Sequence, residues 1–161
     1  MNDLLREHRV HHELLAGVLK RIATKQLKQS VGNEMGTLGM QFRHIADVES
    51  CYIQAIKSGV MDFSRKVEDH TIETDKDRLL AYFERNEEAL KDELAKMVNG
   101  KQSVRGIDWS KTHQHYGVIS VERHLLALIE HEVLHEGEIV VYLRTLGLKF
   151  PPSWRVWGLN G

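Results

Sequence analysis

The sequence VERHLLALIEHEVLHEGEIVVYLRTLG, residues 121–147, has the periodicity of one long helix. Ser120 stands where an N-cap is expected, and Gly147 stands where a helix ends. Residues spaced three or four apart share one face of this helix, and that face carries both apolar and ionisable side chains: Val121, His124, Leu128, His131, His135, Glu138 and Tyr142. The segment therefore predicts a buried helix whose inner face carries ionisable groups.

Three further segments show helical periodicity, at about residues 3–28, from after Ser30 to about 59, and at 74–100. Four long amphipathic helices have one common solution, a bundle around a shared core. The sequence therefore predicts an all-α four-helix bundle that forms a single domain over residues 1–161. Residues 100–117 are expected to form a short hairpin or an irregular insertion before the last helix.

Composition excludes several classes of protein. The 161 residues carry a net charge of -1 without a basic block, which disfavours nucleic acid as a partner. No apolar run has the length of a signal peptide or a membrane span, so neither secretion nor a membrane is expected. The single cysteine, Cys51, cannot form an internal disulfide, and a cytoplasmic location is predicted.

Three histidines form the candidate metal site. His131 and His135 are four residues apart, so both side chains leave one helix face and can reach the same ion. His44 lies on the inward face of the second helix. Three imidazoles with an open fourth position are typical of catalytic sites and suit zinc, nickel, copper or iron. The alternative is a set of core histidines bonded to other side chains, and we favour one divalent transition metal.

The letters HEVLH at 131–135 also match the HExxH pattern of zinc proteases, in which the glutamate is the general base. The third ligand of those enzymes is missing, because no histidine, aspartate or glutamate follows Glu138. Glu132 leaves the helix about 100° away from the histidine pair. The match is interpreted as coincidental, and Glu132 stays a weak candidate for a base.

Other polar residues interrupt the predicted core lines. His8 and His12 do so in the first helix, Glu87 in the third and His124 in the fourth. They either pair with one another or line the metal pocket and orient its ligands. The remaining histidines are expected on a polar flank or in loops: His11, His70, His113 and His115.

The segments HEVLHEGEI (131–139) and YLRTLGLKFPP (142–152), together with a histidine in the second helix, resemble the DinB superfamily of small metal-binding proteins. The resemblance implies a DinB/YfiT-like four-helix bundle with the metal on His44, His131 and His135. Members often read HRGQ where this chain reads HEGE, so Glu136 and Glu138 make the neighbourhood more acidic and their role is open.

The resemblance further implies an intracellular protein, often a homodimer, with bound nickel or zinc. Characterised relatives include transferases and an isomerase that use low-molecular-weight thiols such as bacillithiol or mycothiol. We therefore expect a metal-dependent S-transferase that joins such a thiol to a small electrophilic substrate. The alternatives are a metal-dependent hydrolase with Glu132 or Glu87 as base, a non-catalytic metal-binding stress-response protein with an extra ligand from Glu87 or His12, and a structural bundle without metal.

Overall fold

The computed structural model describes residues 2–32, 34–65, 69–99, 106–113 and 115–159. Parts of the predicted insertion, residues 100–105 and 114, lie outside this description, as do residues 160–161. The described chain contains four long helices: α1 (Asn2–Arg21), α2 (Leu38–Ser58), α3 (Lys76–Val98) and α4 (Val121–Thr145). The prediction of a four-helix bundle is confirmed.

Capping side chains set three of the helix starts. Asp75 accepts a hydrogen bond from the backbone N–H of Arg78 at the start of α3, and Ser120 does the same for Arg123 in α4. Both starts agree with the prediction. The start predicted for α2 at Ser30 is wrong, because the cap is Thr37, which accepts from the N–H of Met40.

The end predicted for α1 is also wrong. The helix stops at Arg21, and Ala23 is extended, with φ -77° and ψ 147°. A separate 3-10 turn follows at Thr24–Lys28, which places Leu27 in the core. The break lets the chain turn across the end of the bundle.

Helices α1 and α2 lie at diagonal corners of the bundle, since each packs mainly against α3 and α4. Before α4, β1 (Ile107–Asp108) pairs antiparallel with β2 (Val118–Ile119). This short hairpin confirms one of the two predicted forms of the insertion. No helix within the described residues is long and apolar enough to cross a membrane.

Buried apolar side chains form two clusters, one toward each end of the bundle. The first includes Leu15, Leu19, Phe42, Phe83, Tyr142 and Trp154. The second, beside the hairpin, includes Ile53, Leu90, Trp109, Leu125 and Leu128. Between the clusters lies a layer of buried polar side chains, which we call the polar layer: His8, His12, Glu49, Asn86 and Glu132.

The C-terminal segment packs on its own bundle. A 3-10 turn at Pro152–Trp157 buries Trp154, whose indole N–H donates to the Leu14 carbonyl at 3.0 Å. Trp157 is 54% exposed. Of the two tail tryptophans, Trp154 therefore belongs to the core.

Candidate metal centre

Helices α2 and α4 bring His44, His131 and His135 together. One ring nitrogen from each lies within 4.8 Å of the others. The Nε2 atoms of His131 and His135 are 3.0 Å apart. Two ligands of a tetrahedral zinc ion are separated by about 3.3 Å, from Zn–N distances near 2.05 Å. The group can therefore hold a metal, as the sequence predicted.

Glu138 orients one of these histidines. The Nδ1–H of His135 donates to Glu138 Oε2 at 2.6 Å. This bond fixes the tautomer of the ring, so that Nε2 carries its lone pair toward the other two histidines. A carboxylate behind a histidine in this way is a common feature of metal sites. The role of Glu138, which the sequence left open, is thus to position His135.

Two of the three histidines, His44 and His135, line a pocket of about 470 Å³. His44, His135 and Glu138 form one side, and the remaining wall contains Glu34, Met35, Gly36, Met40, Gln41 and Arg43. Tyr142 ties the loop before α2 in place, because its hydroxyl donates to the carbonyls of Met35 and Gly36 at 2.7 and 3.0 Å. The guanidinium of Arg43 is held by two carboxylates, Asp47 and Glu73.

Glu132 lies on the other side of α4 from this pocket, in the polar layer. Most positions on the predicted inward line of α4 are buried, but at its middle the core takes Glu132 and Ile139 in place of His131 and Glu138. The reason is that α4 packs between α1 and α2. Glu132 is wholly buried, whereas His131 and Glu138 are half-buried on the flank. The sequence analysis correctly predicted that Glu132 diverges from the histidine pair. The Glu132 carboxylate points into the core and lies 3.3 Å from His8.

His8 and His12 meet Glu132 together with Glu49, a residue that the sequence analysis missed. The signal was present, because Glu49 fills a gap in the inward line of α2 between Ile45 and Tyr52. These four side chains, His8, His12, Glu49 and Glu132, form a second group of close metal-ligand atoms, which we call the central cluster.

Glu87 does not join either group. Its carboxylate pairs with Lys91 at 2.5 Å and lies 3.9 Å from Arg9, with 22% of the side chain exposed. The preceding residue, Asn86, takes the core position and donates to the Ala46 carbonyl and to Glu49. The inward line of α3 therefore passes through Asn86 rather than through Glu87.

His124 makes its contacts in the apolar cluster beside the hairpin. Its Nδ1 accepts from the Trp109 indole N–H at 3.1 Å, and its Nε2–H donates to the Tyr52 carbonyl at 3.0 Å. An indole only donates and a carbonyl only accepts, so these partners select one neutral tautomer. Burial lowers the pKa of His124 to about 4, against a smaller opposing effect of the Tyr52 carbonyl.

The expectation that His11 lies on a polar flank is wrong. His11 is buried, and its Nδ1 is 2.9 Å from Glu136 Oε1. The ring of His11 also stacks on Trp157. This pair joins α1 to α4 and gives Glu136 a structural partner.

The model of the DinB family matches residues 1–157, nearly the whole chain. No curated protein is significantly similar to the sequence.

Proposed function

The chain belongs to the DinB family, and we propose that it is an enzyme that uses one divalent transition metal, held by His44, His131 and His135, to transfer a small thiol to an electrophile. The observation that carries this proposal is the convergence of three ring nitrogens beside a pocket that His44 and His135 line. Three protein ligands beside an accessible space are typical of catalytic metal sites.

The donor set restricts the metal. Three imidazoles without a carboxylate favour nickel, zinc or iron over magnesium or calcium, which prefer oxygen ligands. Among the described residues the group has no fourth member, and neither His12 nor Glu87 joins it. This favours an open position over the closed site that a non-catalytic metal-binding protein would need.

A bound divalent metal supplies a Lewis acid that lowers the pKa of a thiol beside it. The residues of this chain hold and orient the site. Glu138 keeps His135 in the tautomer that offers Nε2, and Tyr142 anchors the loop at Met35 and Gly36. A pocket of about 470 Å³ lies within the usual range for small-molecule sites.

Neither glutamate expected to act as the base of a hydrolase lines the pocket. Glu132 belongs to the central cluster, and Glu87 pairs with Lys91 of the same helix, α3. Glu138, the carboxylate nearest the histidines, is bonded to His135. Transfer of a thiol, a nucleophile that needs only a lowered pKa, is therefore better supported than activation of water by a glutamate.

Thiol consumption by the zinc- or nickel-loaded protein tests the proposal. Bacillithiol, mycothiol and glutathione would each be offered with a chromogenic aryl halide as the electrophile. We expect one of them to react at a rate that His135→Ala abolishes and His70→Ala preserves, because exposed His70 belongs to neither histidine group. Failure of all three thiols to bind or react would refute a thiol transferase.

We also propose a homodimer, which the family resemblance implies. Exposed apolar side chains on the outer face of α4 support it: Leu126, Val133, Leu134 and Val141. Sedimentation should give a dimer for the wild type and a monomer for Val141→Glu. A monomeric wild type at micromolar concentration would exclude this assembly.

A further inference from the structure

A second group of ionisable side chains lies at the centre of the bundle, where helices from three corners meet. His8 and His12 come from α1, Glu49 from α2 and Glu132 from α4. His8 Nε2 is 3.2 Å from Glu49 Oε1 and 3.3 Å from Glu132 Oε1. His12 Nδ1 is 3.2 Å from the same oxygen of Glu49. One ligand atom from each residue thus lies within 4.8 Å of the other three.

These atoms are buried but do not form hydrogen bonds with one another. The four residues are 0 to 3% exposed. Despite the short distances, the geometry of a hydrogen bond is met by none of His8 Nε2, His12 Nδ1, Glu49 Oε1 and the two oxygens of Glu132. A buried polar atom without a hydrogen bond destabilises the fold, and a charged one does so more strongly. The atoms approach one another as ion pairs around a common centre, without the geometry of hydrogen bonds.

A further buried residue fixes the direction of one carboxylate. Asn86 Nδ2 donates to Glu49 Oε2 at 3.1 Å and to the Ala46 carbonyl at 2.8 Å. Glu49 Oε2 is therefore occupied, and Oε1 is turned toward the two histidines. A partner behind a ligand that leaves one oxygen free is the usual arrangement around a metal.

Charge balance leaves two explanations of the central cluster. The two buried carboxyl groups are balanced either by protons, on the histidines or on a glutamate, or by one divalent cation with neutral imidazoles. His8 Nε2 lies within 3.3 Å of an oxygen of each carboxylate, so the cluster attracts positive charge. A water molecule could satisfy some of these atoms but would not balance the two carboxylates.

We propose that His8, His12, Glu49 and Glu132 form a second metal site, which takes a divalent transition ion such as zinc, manganese or iron. Two imidazoles with two carboxylates suit these ions. Four protein ligands in a sealed core describe a closed site. Its role is to join α1, α2 and α4 between the two apolar clusters, and it does not contact substrate.

Counting zinc ions per chain by native mass spectrometry tests this site independently of any enzyme activity. Metal-free wild type should bind two ions, the double variant His44→Ala/His135→Ala one, and Glu49→Gln one. Combining all three substitutions should leave none. Glu93→Gln is the matched control with two ions, because Glu93 is a buried glutamate with its own lysine partners.

The double variant His44→Ala/His135→Ala tests zinc binding at the central cluster even if Glu49→Gln fails to fold, because both of its substitutions lie outside that cluster. Zinc should also raise the melting temperature of that variant, because an ion that binds only the folded state stabilises it. One ion on the wild type and none on the double variant, with no thermal shift, would show that the central cluster is a protonated ion-pair network.

Discussion

Removing the carboxylate of Glu138 should weaken metal binding at the three histidines without removing a ligand. The bond from His135 Nδ1 to Glu138 is 2.6 Å long and charge-assisted. Partners of this kind are worth about 10–100-fold in metal affinity. The Glu138 side chain is 35% exposed, so solvent screens it and the lower part of that range applies. We expect Glu138→Gln to lose about tenfold and Glu138→Ala about thirtyfold, or roughly 1.4 and 2 kcal/mol.

Competition with a chromophoric chelator would measure these zinc affinities. The measurements belong in the Glu49→Gln background, so that the central cluster does not contribute. Glu136→Gln is the matched control, because this neighbouring glutamate pairs with His11 and not with a histidine of the site. An affinity of Glu138→Ala within twofold of its parent would refute the positioning role of Glu138.

Three predictions concern stability. His124 has a folded-state pKa near 4, below its usual 6.5, so the unfolded chain binds more protons on acidification and stability falls. His124→Gln should reduce the loss between pH 7.5 and 5, measured by urea unfolding, by about 2 kcal/mol, and an unchanged loss would contradict the assignment. Gly39→Ala should lower the melting temperature by several degrees, because its Cβ would lie 1.8 Å from a backbone carbonyl oxygen, whereas Gly137→Ala has open space and should be neutral or stabilising. Trp154→Ala should cost about 3–5 kcal/mol in chemical unfolding, and the half-exposed Trp157→Ala under about 1 kcal/mol; equal losses would contradict the packing of the tail.

The helices and the histidine triad were predictable because each depends on local spacing. Four residues along α4 place His131 and His135 on one face, whatever the rest of the chain does. Ser120 and Asp75 cap helices by bonding to backbone three residues away. His44 could be identified as the third ligand candidate because it lies on the inward line of a second helix.

The central cluster was not predictable in the same way, because it depends on how α4 rotates between its neighbours. A small rotation of α4 about its axis decides whether Glu132 or His131 lies at the centre of the core. Glu49 was visible only as a polar residue at a core position, and Asn86 was mistaken for its neighbour Glu87. Which of two neighbouring polar residues faces the core depends on the side chains of the opposite helices. The sequence of one helix does not contain that information.

The bonds of Glu138 and Glu136 show a second kind of limit. Both residues distinguish this chain from the common family pattern, and spacing alone permitted several partners for each. In the structure Glu138 turns back to His135, whereas Glu136 reaches His11 on α1. The second contact depends on the packing of α1 against α4.

The most direct test of the metal centre is the metal content of the untagged protein, purified without chelators and measured by inductively coupled plasma mass spectrometry. The wild type would be compared with His44→Ala, His131→Ala, His135→Ala and the control His70→Ala. We expect nickel, zinc or iron in the wild type and one equivalent less in each of the three triad variants, with no change in the control. A wild type without metal, even after incubation with zinc and nickel, would contradict the assignment and leave the three histidines as polar residues of a structural bundle.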